Sequence, residues 1–126
     1  IRIFFIFRHF IVKICFEHLP SGIDTMSVVV NDNDFIPVKD TVIADIQKKT
    51  KPDNITIYNG IALVAVVGRG MKSNRGVAAR VLASLAHRNI NIKMIDQGSS
   101  ELNIIVGVEN ADCAACIRAI YNEFFN

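Results

Sequence analysis

The stretch Ile14–Val30, ICFEHLPSGIDTMSVVV, returns at Ile90–Val106 as INIKMIDQGSSELNIIV, an offset of 76 positions fixed by Gly22 and Gly98. Ile14 matches Ile90, Phe16 matches Ile92, Leu19 matches Ile95, and Val28, Val29 and Val30 match Ile104, Ile105 and Val106. A framework repeated at fixed offset means that one supersecondary unit is present twice. The polar residues between the apolar positions are not repeated: EHLPSGID stands against KMIDQGSS. Two binding modules with different ligands, or one ligand site and one scaffold, would carry that pattern.

Working outward from the second copy, Ile61–Val67 is a continuous apolar run of strand type, and Gly68–Gly76 is a glycine-bearing loop. In VAARVLASLAHRNI, Val77, Val81 and Leu85 make a helical stripe, widened by Leu82 and Ala86, while Arg80, Ser84 and Arg88 follow the same three- and four-residue spacings. Asn91–Ile95 alternates, Gln97-Gly98-Ser99 supplies turn chemistry, and Leu102–Val108 is the returning strand of a hairpin. Asn110 or Asp112 can cap a last helix whose inward stripe is Cys113, Ile117, Ile120, Tyr121 and Phe124.

The first copy is expected to open with a helix at about Ile1–Phe10. Strands follow near Ile14–Leu19 and Thr25–Val30, then a helix near Val38–Lys49, a break at Pro52 and a short β-prone run, Asn54–Tyr58. The expected fold is α+β: two modules of the β-α-β-β-α-β type, residues 1–59 and 60–126, the first without its opening strand and the second without its closing one. The apolar start, interrupted by Arg2, Arg8, His9 and Lys13, is too short for a membrane span and reads as the interior of a longer protein.

A formal net charge of +2 is too small to imply a nucleic-acid or membrane partner by long-range attraction. Three cysteines, an odd number, with no secretory signal, favour a reducing cytoplasm. Cys113 and Cys116 have C-x-x-C spacing but fall inside a helix with no second pair, which points to core packing. His9, His18 and His87 share no metal-ligand spacing, so no metal site is expected. The carboxylates Glu17 and Asp24, and Asp96 and Glu101, bracket the two hairpin turns, where solvation or ligand binding is the more ordinary role than acid–base catalysis. The loop VVGRGMKSNRGVAAR leads into a helix N-terminus suited to a carboxylate or phosphate, but lacks both the G-x-G-x-x-G and the G-x-x-x-x-G-K-[ST] spacing. An RNA-recognition module shares the strand order but needs aromatics on its central strands, and Leu102–Val108 has none.

GIDTMSVVV, ALVAVVGRGMKSNRGVAARVLASLA and NINIKMIDQGSSELNIIVGV together resemble the C-terminal regulatory region of monofunctional bacterial aspartokinases, over about Ile14–Phe124. The resemblance implies two ferredoxin-like ACT modules that sense amino acids, with the segment before the first module completing the sheet of the second. It implies lysine and/or threonine as feedback effector, bound between modules of two subunits, and hence a homodimer. It also implies an N-terminal kinase domain in the parent chain, to which ATP and Mg would belong. This chain is then expected to hold no catalytic residue and no cofactor of its own. Carried over by position, the effector-binding candidates are Gly70, Met71, Asn91, Ile92, Gln97 and Ser99 in the second module. In the first they are Cys15, Phe16, Glu17, Ser21 and Gly22, with Glu17 where lysine-sensing members tend to hold an acid. The alternative within the same resemblance is an ACT-type regulatory subunit of another amino-acid enzyme.

Overall fold

A computed structural model describes residues 2–19, 22–68, 75–97 and 103–125, with backbone alone at 2–9, 17–19 and 22–23. It contains strands β1 (Arg2–Leu19), β2 (Gly22–Asn31), β3 (Asn54–Val67), β4 (Met94–Asp96) and β5 (Asn103–Glu109). The helices are α1 (Asp32–Phe35), α2 (Lys39–Thr50), α3 (Val77–Ala86) and α4 (Cys113–Phe125), with 3-10 turns at Ile36–Val38 and Asn110–Asp112. The chain divides into two compact units, Arg8–Gly60 and Ile61–Asn126, the latter together with Ile1–Phe7. The fold is the α+β, ferredoxin-like ACT fold, with antiparallel strands on which helices pack.

In the Arg8–Gly60 unit the strand order is β2-β1-β3. β1 and β2 pair antiparallel from His9 opposite Asn31 to Phe16 opposite Asp24, and the register then shifts before Leu19 meets Gly22. Phe10, Val12, Ile14 and Phe35 form the core, with Val42, Ile43 and Ile46 of α2 and Ile55 and Ile57 of β3 packed against it. Asn31 starts the helical segment by accepting the Asn33 N–H on Oδ1 at 2.8 Å. Lys51, at φ 47°, closes α2, its N–H donating to the Gln47 carbonyl at 3.1 Å.

In the second unit β5 lies between β3 and β4, antiparallel to both. Val64 and Val66 of β3 and Ile104, Val106 and Val108 of β5 meet Val77, Val81 and Leu85 of α3 and Cys113, Cys116, Ala119 and Ile120 of α4 in one core. Alternation along β3 and β5 puts these residues on a single sheet face, so both helices can cover it.

Five details depart from the expected pattern. A helix is expected over Ile1–Phe10, but from Arg2 onward this segment is the first part of β1. A short, mostly apolar run does not by itself distinguish the two states, and a stretch dominated by Ile and Phe suits the pleated one. NITIY and the Ile61–Val67 run are one strand, β3, which continues through Gly60 at a φ of 67°. Tyr121 of the expected inward stripe is 51% exposed, because the buried face of α4 runs through Cys116 and Ala119 instead, and Ala86 lies on the solvent face, because that of α3 runs through Val77, Val81, Ser84 and Leu85. The strand expected over Asn91–Ile95 is ladder-paired only at Met94–Asp96, although the Lys93 N–H already donates to the Gly107 carbonyl at 2.7 Å.

Candidate functional site

In the second unit the candidates lie at one end of α3 and along the chain that leaves its other end. Gly76, at φ 82°, is the N-cap of α3 and offers no side-chain acceptor to the first turn. The positive end of the helix dipole is therefore directed at the loop before it. Gly70 and Met71, in that loop, lie outside the described residues. Past α3, Asn89 adopts a φ of 56° and Ile90 is buried, which turns the chain into the approach to β4. Along that approach Asn91 is exposed with its amide free to meet a ligand, whereas Ile92 packs half-buried against the core. Gln97 follows β4 and is exposed, and Ser99 lies outside the described residues. The ladder pairs Met94 with Gly107, Ile95 with Val106 and Asp96 with Ile105, so β5 holds the chain that carries Asn91 and Gln97.

In the first unit Cys15 and Phe16 occupy the end of the regular β1–β2 ladder, opposite Thr25 and Asp24, and both are half-buried. The Cys15 carbonyl accepts the Asp53 N–H at 2.9 Å, which ties the chain after α2 to β1. Phe16 packs against the core of this unit. Glu17 sits in the backbone stretch where the register shifts, and Gly22 stands opposite Leu19. The Glu17 side chain and all of Ser21 lie outside the described residues.

The two sets of candidates thus occupy equivalent places in the repeat: Cys15 and Phe16 correspond to Asn91 and Ile92, and Phe16 and Ile92 each pack against the core of their own unit. Backbone donors at a helix start, amide side chains and strand carbonyls suit a zwitterion, and among the described candidates nothing provides a nucleophile with its base. No group of three His, Cys, Asp or Glu side chains converges for a metal ion among the described residues. Cys113 and Cys116 are fully buried in the core; burial raises the Cys113 thiol. Burial, with smaller contributions from Cys113 and Asp112, pushes the Cys116 thiol up to about 12. Protonated, enclosed thiols neither ligate metals readily nor exchange disulfides, so C-x-x-C here is packing.

The periodicity of α3 did not disclose what anchors it. The Arg80 Nε donates to Glu123 Oε1 at 2.8 Å and Nη2 to the Glu123 carbonyl at 3.0 Å, with the guanidinium carbon 4.4 Å from the centre of the Phe124 ring. Helices α3 and α4 are joined by this clamp, which holds the helix whose N-terminus borders the candidate loop.

The ACT-domain family matches residues 64–124, nearly all of the second unit. Aspartokinase 3 of Bacillus subtilis is 36% identical over 111 residues, which covers 87% of this chain and 24% of that protein. The chain carries an ACT domain and is a relative of the aspartokinases. Among solved structures, the aspartate kinase of Clostridium acetobutylicum, an allosteric enzyme, superposes with a TM-score of 0.88 at 36% identity, over 97% of this chain and 34% of that one. Escherichia coli aspartokinase III in complex with lysine and aspartate matches with a TM-score of 0.69 at 15% identity, over 98% of this chain and 33% of that one, a likeness of fold alone. The ACT chain therefore spans about a quarter to a third of these relatives' lengths. Among the described residues, no helix of it is long and apolar enough to cross a membrane.

Proposed function

We propose that this chain is the amino-acid-sensing part of an aspartate kinase, in which two related ACT modules bind lysine and/or threonine and so impose feedback inhibition on a kinase domain of the same polypeptide. The observation that carries this reading is the repeated framework with unlike loops, EHLPSGID and DQGSS, within a chain whose aspartokinase likeness extends over most of its length. In the parent enzyme the kinase domain would bind ATP and Mg and phosphorylate a carboxylate. This region would act by binding effector unequally in two arrangements of the subunits of a homodimer, with a coupling of ~1–3 kcal/mol.

In the second module the effector's carboxylate would be met by backbone N–H groups at the loop containing Gly70 and Met71. Its ammonium would be met by strand carbonyls and the oxygens of Asn91, Gln97 and Ser99. In the first module Cys15, Phe16, Ser21 and Gly22 would frame the ligand, and Glu17 would meet the side-chain ammonium of lysine, since a charge removed from water demands a partner.

Calorimetric titration of the chain with lysine and with threonine tests both assignments. We expect lysine to bind, and to bind at least tenfold more weakly after Glu17→Gln; equal affinity in the two proteins removes Glu17 from the site. In the full-length enzyme, Gln97→Ala or Ser99→Ala should shift the inhibition curve while uninhibited turnover stays nearly constant. Loss of turnover itself, with the fold intact, would place these residues in catalysis and overturn the regulatory assignment.

A further inference from the structure

Asn59-Gly60 is the single Asn-Gly pair of the sequence, and it interrupts an otherwise β-type run, ITIYNGIALVAVV. Between apolar runs this dipeptide ordinarily makes a hairpin turn, with both residues at positive φ. No turn is made here: the chain continues as β3, and of the two residues only Gly60 has a positive φ, 67°. The turn chemistry of the asparagine is thus unused. Asn59 is exposed, and among the described residues no hydrogen bond holds its side-chain amide. Other asparagines are engaged: the Asn31 Oδ1 accepts the Asn33 N–H at 2.8 Å, the Asn54 Nδ2 donates to the Thr56 Oγ1 at 3.3 Å, and the Asn110 Oδ1 is buried. Every other asparagine before Asn126 precedes a residue that has a Cβ, isoleucine in the case of Asn54, Asn89, Asn91 and Asn103.

We infer that Asn59 is a site of spontaneous covalent modification, at which the Gly60 backbone nitrogen attacks the Asn59 side chain and converts it, through a cyclic imide, to aspartate and isoaspartate. The Gly60 N–H gives its proton to water or hydroxide, and the nitrogen bonds to the Asn59 Cγ. The bond from Cγ to Nδ2 breaks and that nitrogen leaves as ammonia. Water then adds to one imide carbonyl and opens the ring, so the net reaction consumes water, releases ammonia and changes no oxidation state. Attack needs a nitrogen that no neighbouring Cβ shields, which glycine provides. It also needs the Asn59 backbone to leave the extended form, which ladder pairing resists. Among the described residues the pairing of β3 with β5 begins at Ile61, opposite Glu109, so Asn59 and Gly60 can be laddered on one side at most. The φ of Gly60 already takes the strand out of its regular pleat at that point. The product has a carboxylate in place of an amide, and in the iso form an additional main-chain carbon directly ahead of the Ile61–Val67 ladder.

The experiment incubates the intact, folded chain for days at mildly alkaline pH in water enriched in heavy oxygen, followed by peptide mapping with mass spectrometry. A protein isoaspartyl methyltransferase serves as the probe for the iso product. Heavy oxygen is expected at position 59 roughly tenfold faster than at Asn91 or Asn110, whose following residues have a Cβ, and the labelled peptide should accept methyl groups. Asn59→Gln, an exposed change that keeps the amide but lengthens its side chain, should abolish labelling at that position. Gly60→Ala should slow it in chains that keep their circular dichroism spectra. Labelling of Asn59 no faster than of Asn91 overturns the inference, as does labelling that appears only when urea has unfolded the chain. Label without methyl acceptance would mean direct hydrolysis of the amide, and the attack by Gly60 would then be wrong.

Discussion

At Gly107 the absence of a side chain serves packing. Its partner across the β4–β5 ladder is Met94, and a Cβ built on Gly107 would collide with the Met94 Cγ, which moves only if the whole side chain takes another χ1 rotamer. Gly107→Ala should therefore cost about 1–3 kcal/mol of stability, the range for overpacking a core. Met94→Ala should restore most of that loss in the double variant, read as non-additive shifts of the urea midpoint; additive shifts would show that the two residues do not share space. Cys116 makes a second prediction. Its folded thiol, pushed up to about 12 from an ordinary 9.0, stays protonated where the unfolded chain's thiol ionises. Above pH 9 the unfolded state thus binds fewer protons than the folded one, and stability falls as pH rises toward 12. A Cys116→Ala chain should have a shallower decline of midpoint over that window than the wild type, and parallel declines would contradict the assigned shift.

Between elements, the Arg80 clamp is the feature most open to test. It combines an ion pair, a second hydrogen bond to a backbone carbonyl and a cation–π contact, all on partly exposed groups. Solvent screening limits exposed pairs, so Arg80→Ala should lose about 1 kcal/mol, with much of the loss retained in Arg80→Lys, whose ammonium lacks the planar fork. Because α3 borders the candidate loop, effector affinity in the Arg80→Ala chain should fall along with stability; unchanged affinity at reduced stability would confine the clamp to packing. Helix α3 was legible in the spacing of Val77, Val81 and Leu85. Its clamp was not, because Arg80 and Glu123 are far apart in sequence and each has the composition of a solvated helix surface.

For the molecule as a whole, the described β2 strand is hydrogen-bonded on one side only, to β1, and its outer edge carries unpaired backbone groups. Such an edge is a template for a further strand. With the proposed homodimer, sedimentation equilibrium at micromolar concentration should give twice the 14.0 kDa chain mass, and a proline in place of Ser27 or Val28, whichever N–H faces outward, should shift it toward monomer. A stable wild-type monomer would contradict the dimer. Saturating effector should also raise the melting temperature, since a ligand at a hundred times its Kd stabilises the bound state by about 2.7 kcal/mol.

By itself the sequence determined the duplicated framework, the fold class, the helices after Gly76 and Asp112, and the packing role of Cys113 and Cys116. All of these rest on local periodicity or on a repeat, which chain order records directly. Tertiary structure decided the state of Arg2–Phe10, since a short, mostly apolar run satisfies helix and strand alike until strand partners are available. It also decided that NITIY and Ile61–Val67 form one strand through Gly60, and that Tyr121 faces solvent while Cys116 and Ala119 face the core. The contrast between Val28 and Ile104 belongs to the same class: the two are matched in sequence, yet Val28 is 41% exposed and Ile104 1%, since residues of α3 and α4 pack with the latter in one core.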